Sequence, residues 1–174
     1  MMNSGKFLNK YPQDYKKGFR LAVCNENRQE EELTVRWQIR QASAAILRQD
    51  SCQIRVDPYS TTWLPYVETK DLAIFDEYVS YAVYRDEEEL SCGTVNLSYP
   101  KYFHYEDPQL SATVNGDTIT VTAAAYAKSV EIRNENEDLV LSDNYFDMNA
   151  GSRSVKILSG DPAGLRLRSV YDIR

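Results

Sequence analysis

At 174 residues the chain has room for one large domain or two small ones. Lys and Arg total 20 against 26 Asp and Glu, a formal charge of −6, which argues against a basic nucleic-acid footprint or a polybasic membrane anchor. Hydrophobic residues at 43% and charged residues at 26% are globular values, no apolar run approaches the roughly 18–20 residues that span a bilayer, and a single histidine, His104, argues against His-based metal sites and against Ser-His-Asp or Cys-His catalysis.

Residues 1–17 are polar, carry no apolar core of a secretory signal, and read as a tail or docking segment. From there the period is two almost everywhere. Phe19, Leu21 and Val23 alternate with Arg20, Ala22 and Cys24. Gln29 to Glu32 is expected to tip a hairpin. Leu33 to Arg40 alternates strictly between apolar and polar residues, the pattern of a strand with one buried and one wet face. Ile54 and Val56 flank Arg55, and Asp57-Pro58-Tyr59-Ser60 reads as a turn. Asp71 to Tyr78 is expected to hold one short helical turn. Tyr78–Arg85 and Leu90–Leu97 are rich in aromatic and β-branched residues, as strands prefer, with Asp86 to Glu89 as a solvated hairpin tip.

A second alternating block follows Tyr105-Glu106-Asp107-Pro108. Leu110–Val114 and Thr118–Thr122 lie on either side of Asn115-Gly116, a strong short-range hairpin signal. Val130–Arg133, Leu139–Leu141, Ser154–Leu158 and Leu165–Tyr171 complete it, Val170 joining the apolar face of the last run only through a bulge near Arg168-Ser169. Many short strands punctuated by turns every 8–12 residues are the mark of a β-sandwich. The fold class is therefore all-β, with two tandem immunoglobulin-like sandwiches: residues 18–103, then residues 104–174. Residues 1–104 carry a net −2 and residues 105–174 a net −4, so neither half is basic.

Little of the sequence points to chemistry. Asn-Glu pairs of the kind that supply the acid in many retaining glycosidases occur at Asn25-Glu26, Asn134-Glu135 and Asn136-Glu137, each in a polar turn, where a water-exposed carboxyl keeps its ordinary acidity and serves poorly as a general acid. Asp143, Asn144 and Asp147 offer oxygens to a cation but lack the EF-hand spacing. No glycine pattern of a phosphate-binding loop is present. Cys24, Cys52 and Cys92 have no metal-site spacing; Cys24 and Cys92 sit in strand-like runs and are expected to be small buried hydrophobes, a Cys24–Cys92 bridge being the alternative. Of the 13 tyrosines, Tyr99, Tyr102 and Tyr105, with Phe103, cluster between the two blocks and are expected to glue them together. No catalytic, cofactor-binding or metal-binding residue is assigned.

The segment Leu141-Ser142-Asp143-Asn144-Tyr145-Phe146-Asp147-Met148-Asn149-Ala150-Gly151 resembles the S-D-N-[YF]-F-D-L … P-G stretch near the C-terminus of β-mannosidases of glycoside hydrolase family 2. Met148 stands where Leu is common, and Asn149-Ala150-Gly151 replaces a Pro-Gly turn. Tyr99-Pro100-Lys101 with Glu106-Asp107-Pro108 resembles that family's junction between its last two sandwiches, and residues 19–97 resemble the penultimate one. The resemblance implies the non-catalytic C-terminal region of a larger retaining enzyme that removes terminal β-D-mannose. Its partner in cis would be a (β/α)₈ barrel, which alone needs about 250 residues and has no counterpart here. Carbohydrate is a second expected partner; nucleic acid and membrane are not expected, nor is a cofactor. The family's members are secreted, periplasmic or lysosomal in many cases. Two other readings stand beside it: a free-standing carbohydrate-binding or adhesion pair, which calls for a line of coplanar exposed aromatics, and a small enzyme, which calls for a pocket with perturbed carboxylates. Within the motif, Tyr145 and Phe146, if extended, point to opposite faces, one into the core and one towards a neighbouring domain.

Overall fold

The computed structural model describes residues 18–173; the tail or docking segment at 1–17 lies outside the described residues. In chain order the strands are β1 (Gly18–Phe19), β2 (Ala22–Asn25), β3 (Glu31–Gln41), β4 (Ile46–Val56), β5 (Ser60–Trp63), β6 (Val67–Glu68), β7 (Glu77–Arg85) and β8 (Glu88–Asn96). After a 3₁₀ turn at Pro100–Tyr102 come β9 (Ser111–Asn115), β10 (Thr118–Ala123), β11 (Ala127–Arg133), β12 (Val140–Leu141), β13 (Phe146–Met148), β14 (Gly151–Ser159) and β15 (Arg166–Arg168), then a 3₁₀ turn at Val170–Ile173. The chain is all-β, built from immunoglobulin-like sandwich sheets.

It divides into two compact units. One holds residues up to 32 together with 54–72; the other holds 33–53 and everything from 73 onward. In the first unit β2 pairs antiparallel with β5, and β1 with β6. Asn25, 5% exposed, anchors this unit: its side-chain nitrogen donates to the carbonyls of Gln29, Val56 and Asp57 at 2.8, 3.1 and 3.2 Å. The turn after it is no hairpin, because β2 and β3 belong to different sheets. Glu31 and Glu32 already belong to β3, and Glu30 and Glu32 pair with Arg55 on β4.

The second unit contains a sheet ordered β4-β3-β7-β8 and two facing sheets, β12-β14-β10-β9 and β13-β11-β15. On β3 the alternation is realised: Leu33, Val35, Trp37 and Ile39 are buried. Asp86 and Glu87 form the tip between β7 and β8, with Asp86 at φ 52°. The turn before β7 is a single α-turn, in which Glu77 N–H donates to the carbonyl of Ala73 at 2.8 Å. The facing sheets enclose one core, Ile119, Val121 and Val155 from one side and Val130, Ile132, Phe146 and Met148 from the other. Removal of that apolar surface from water, at about 25 cal/mol per Å², holds the sandwich closed.

The β9–β10 hairpin forms one residue later than the Asn-Gly signal suggests. Thr118 faces Asn115, so the two-residue turn is Gly116-Asp117, with Gly116 at φ 60° in the first central position of a II′-like turn. The last strand does not bulge to recruit Val170. It stops at Arg168, and buried Ser169 starts a 3₁₀ turn, its hydroxyl accepting from Tyr171 N–H at 3.2 Å. Val170 packs instead against a second, aromatic cluster. Cys24 and Cys92 are exposed and Cys52 half-buried, all three as free thiols. Cys24 shares the outward parity of Arg20 and Ala22, and its sulfur lies 3.2 Å from the Thr61 hydroxyl.

Candidate functional site

The segment 142–149 is built from side chains that stand in for backbone. Ser142 meets β14 twice: its N–H donates to the Lys156 carbonyl at 2.8 Å, and its hydroxyl accepts from Lys156 N–H at 2.9 Å. Asn144 does the same for β11. Its Oδ1 accepts from Ile132 N–H at 2.9 Å, and its Nδ2 donates to the Ile132 carbonyl at 3.0 Å. β13 pairs with β11 only as far as Phe146 opposite Val130. Two residues further along each strand, the carboxamide of Asn144 supplies the next rung of the ladder.

Tyr145 is not extended. It lies at φ 60°, so the side chain turns away from the strand path and is 61% exposed. Its hydroxyl donates to Glu131 Oε1 at 2.7 Å, which keeps it on its own sandwich. Glu131 also accepts from Arg168 Nε. These hydrogen bonds, Arg168 first and Tyr145 second, hold the Glu131 carboxyl below its ordinary value against the opposing effect of burial. Phe146 enters the core, with the Arg153 guanidinium 4.5 Å from its ring centre.

Contact with the β4-β3-β7-β8 sheet falls to Asp147 and Asn149. Asp147 Oδ2 accepts from Thr94 on β8 at 2.5 Å and pairs with Lys128 at 2.9 Å, while Oδ1 accepts from Ser129 N–H at 2.8 Å. Asn149 accepts from the Tyr78 hydroxyl at 2.6 Å. The oxygens of Asp143, Asn144 and Asp147 therefore do not converge on a cation: Asp143 pairs with Arg153 at 2.6 Å, and the other two serve backbone, threonine and lysine. Among the described residues no group of three or more acidic, cysteine or histidine side chains could hold a metal.

Beside this contact lies the aromatic cluster. Tyr78 and Tyr126 stack at 3.8 Å with 13° between their rings, and Phe103 and Tyr105 pack around them with Ala42. Tyr126 donates to Asn96 at 2.9 Å and lies 2.6 Å from the Thr94 hydroxyl. Burial, above all, pushes both phenols well above the ordinary tyrosine range. Of the four aromatics expected to act as glue, Phe103 and Tyr105 do so; Tyr99 and Tyr102 are 75% and 53% exposed.

Next to the Asp147 contact a groove of about 640 Å³ opens between the polar face of the β3–β7–β8 sheet and the arch that joins β13 to β14. Arg36, Gln38 and Arg40 line it from β3, Ser80 from β7, and Ser152 and Arg153 from the start of β14. On the opposite face of the same sheet, that of Trp37, Tyr81 lies across Gly93 of β8, where a Cβ would come within 2.6 Å of its hydroxyl. None of these residues belongs to a motif of the sequence. Their one sequence signal is the polar parity of β3, which places Arg36, Gln38 and Arg40 on one face.

Two of the three Asn-Glu pairs begin on a buried asparagine. Asn25 and Asn134 are buried turn anchors, Asn134 donating to the Asp161 carbonyl at 2.8 Å, whereas Glu26, Glu135 and Glu137 are exposed.

Sheets, core and side-chain rungs together define an immunoglobulin-like β-sandwich protein. Residues 105–173 match the model of a mannosidase Ig-fold domain family. Among solved structures, β-D-mannosidase from Dictyoglomus thermophilum superposes with a TM-score of 0.65 at 13% identity, over 89% of this chain and 22% of its own. Exo-chitosanase from Amycolatopsis orientalis superposes with a TM-score of 0.62 at 10% identity, over 86% of this chain and 25% of its own. At such identities the likeness is one of fold. The chain thus spans about a quarter of the length of these larger glycosidases. No curated protein matches the chain in sequence.

Proposed function

We propose that this chain is the non-catalytic C-terminal accessory region of a glycoside hydrolase, and specifically of a retaining family 2 β-mannosidase that removes terminal β-D-mannose. The carrying observation is the family match at 105–173. The fold likeness to a β-D-mannosidase over 89% of the chain supports it. So does the motif at 142–149, whose side chains are spent on backbone and on the adjoining sheet. In this reading residues 18–103 and 104–174 are successive sandwiches, and their partner is a (β/α)₈ barrel in cis that they brace. The likeness to an exo-chitosanase keeps a β-glucosaminide-cleaving parent as the competing reading.

The test has two parts. The isolated chain is incubated with an aryl β-D-mannoside, and no release of the aryl group is expected; measurable turnover overturns the accessory reading. The reading frame around the coding sequence is then expressed whole, and its action on aryl β-D-mannosides and β-D-glucosaminides is followed by proton NMR. Mannoside cleavage with retained anomeric configuration is expected. Cleavage of the glucosaminide alone, or absence of a barrel, overturns the mannosidase assignment.

A further inference from the structure

The groove beside the Asp147 contact has a charge character opposite to that of the chain. The whole chain carries −6, yet three guanidinium groups, Arg36, Arg40 and Arg153, line this one concavity. Arg153 already pairs with Asp143. Among the described residues no carboxylate stands within ion-pair distance of Arg36 or Arg40. Arg36 is exposed and stacks on the ring of Tyr84, 4.6 Å from its centre.

Arg40 is half-buried, and its fork is fixed by neutral acceptors: Gln38 Oε1 at 2.9 and 2.5 Å, the Ala44 carbonyl at 2.7 Å and the Ser80 hydroxyl at 3.2 Å. A partly desolvated guanidinium held rigidly, with no anion of its own, is costly unless something negative completes it. Beyond those bonds Nη1 and Nη2 each keep one further N–H, and such a pair of donors suits an anion. The carboxylates of the groove do not fill that role. Asp147 is tied to Lys128 and Thr94, and Glu89 accepts from Tyr84 at 3.3 Å.

The remaining lining is mostly hydroxyls and amides, Gln38, Ser80, Thr94, Asn149, Ser152 and Ser154. Such a surface matches a polyhydroxylated ligand better than an apolar or peptide anchor. The volume, about 640 Å³, lies within the range of small-molecule sites. We propose that this groove binds an acidic saccharide, a short sugar chain bearing a carboxylate or a sulfate, with the anion held by Arg36 and Arg40. The inference does not rest on the mannosidase reading, because the groove lies wholly within this chain.

The test is titration calorimetry of the full chain with three disaccharides: one carrying a glucuronate, one carrying a sulfate, and neutral mannobiose. Amide shifts are followed by NMR in parallel. The expected result is saturable binding of at least one acidic disaccharide at millimolar concentration or below, with shifts at Arg36, Gly93 and Ser152 and weakening as salt rises. Which acidic sugar binds identifies the anion. Arg36→Gln, at an exposed position, and Arg40→Gln are each expected to weaken binding roughly tenfold to a hundredfold, the value of a charge-assisted hydrogen bond. Should Arg40→Gln perturb folding, Arg36→Gln alone carries the test. Binding of mannobiose as tight as that of the acidic sugars overturns the proposal, as does inorganic sulfate binding equally well. No binding of either acidic sugar overturns it too, and so do unchanged affinities in both variants. None of these outcomes bears on the hydrolytic activity of a parent enzyme.

Discussion

Asn144→Ala is the most direct probe of how this sandwich is held. The substitution removes an acceptor from Ile132 N–H and a donor from the Ile132 carbonyl at one stroke. Ile132 is only 2% exposed, so its backbone groups lose partners in a largely dry place. Each buried polar group left unpaired costs about 1–3 kcal/mol, and water reaching the half-buried position of Asn144 recovers part of it. The expected loss is therefore about 2–4 kcal/mol. Asn144→Asp keeps the acceptor but sets a carboxylate oxygen against the Ile132 carbonyl, and should lose stability at neutral pH and recover some as that carboxyl protonates. Urea unfolding followed by circular dichroism gives the magnitude, and amide hydrogen exchange at Ile132 gives the location. If Asn144→Ala unfolds within about 0.5 kcal/mol of the parent, the usual scatter of inconsequential surface changes, and the Ile132 amide stays protected, the side-chain rung carries no weight and the reasoning fails.

Two glycines separate backbone strain from steric clash. Gly116→Ala meets open space at φ 60° and should cost only the left-handed penalty, about 1–2 kcal/mol; Gly160→Ala, at φ 93° with its Cβ 2.6 Å from the Asp138 carbonyl oxygen, should cost more, about 3 kcal/mol, and equal unfolding midpoints for the two would refute the distinction. Acid should weaken the second unit through Glu131. Its carboxyl is held low in the folded state by Arg168 and Tyr145, so the stability it contributes is complete above the unfolded value of about 4.3 and is lost as pH falls from there through the folded value. Tyr145→Phe should therefore flatten part of the stability–pH curve below about pH 4.3, Arg168 holding the rest, and a curve of unchanged steepness would remove the Tyr145 hydrogen bond from the account.

The strands were legible wherever one face is buried. On β3 the alternation Leu33, Val35, Trp37, Ile39 needs no partner to be read, since burial on one side imposes the period. Cys24 was expected to be buried and is exposed: its parity with Arg20 put it on the wet face, and cysteine's general preference for burial pointed the wrong way. Asn144 was not legible as a rung. Its partner Ile132 is 12 residues away on another strand, and an asparagine in a turn-rich segment reads locally as a capping residue. The same holds for Tyr78 and Tyr126: stacking between positions 48 apart leaves no periodic trace. The groove was half legible. Its β3 wall follows from parity, whereas its opposite wall depends on where residues 147–154, from the end of β13 to the start of β14, come to rest.

The aromatic cluster bears on how this region can be handled as a module. The segment recognised by family begins at Tyr105, yet Tyr126 inside that segment rests on Tyr78 and Phe103, which precede it. Excising 105–173 would strip the stacking partner from Tyr126, a ring with no exposed surface in the intact chain, and leave a sticky wound at the cut. Grafts, truncations and chimaeras built from this domain should carry the β7–β8 ribbon with them, because the border that a family match draws through the chain is not the border at which its hydrocarbon ends.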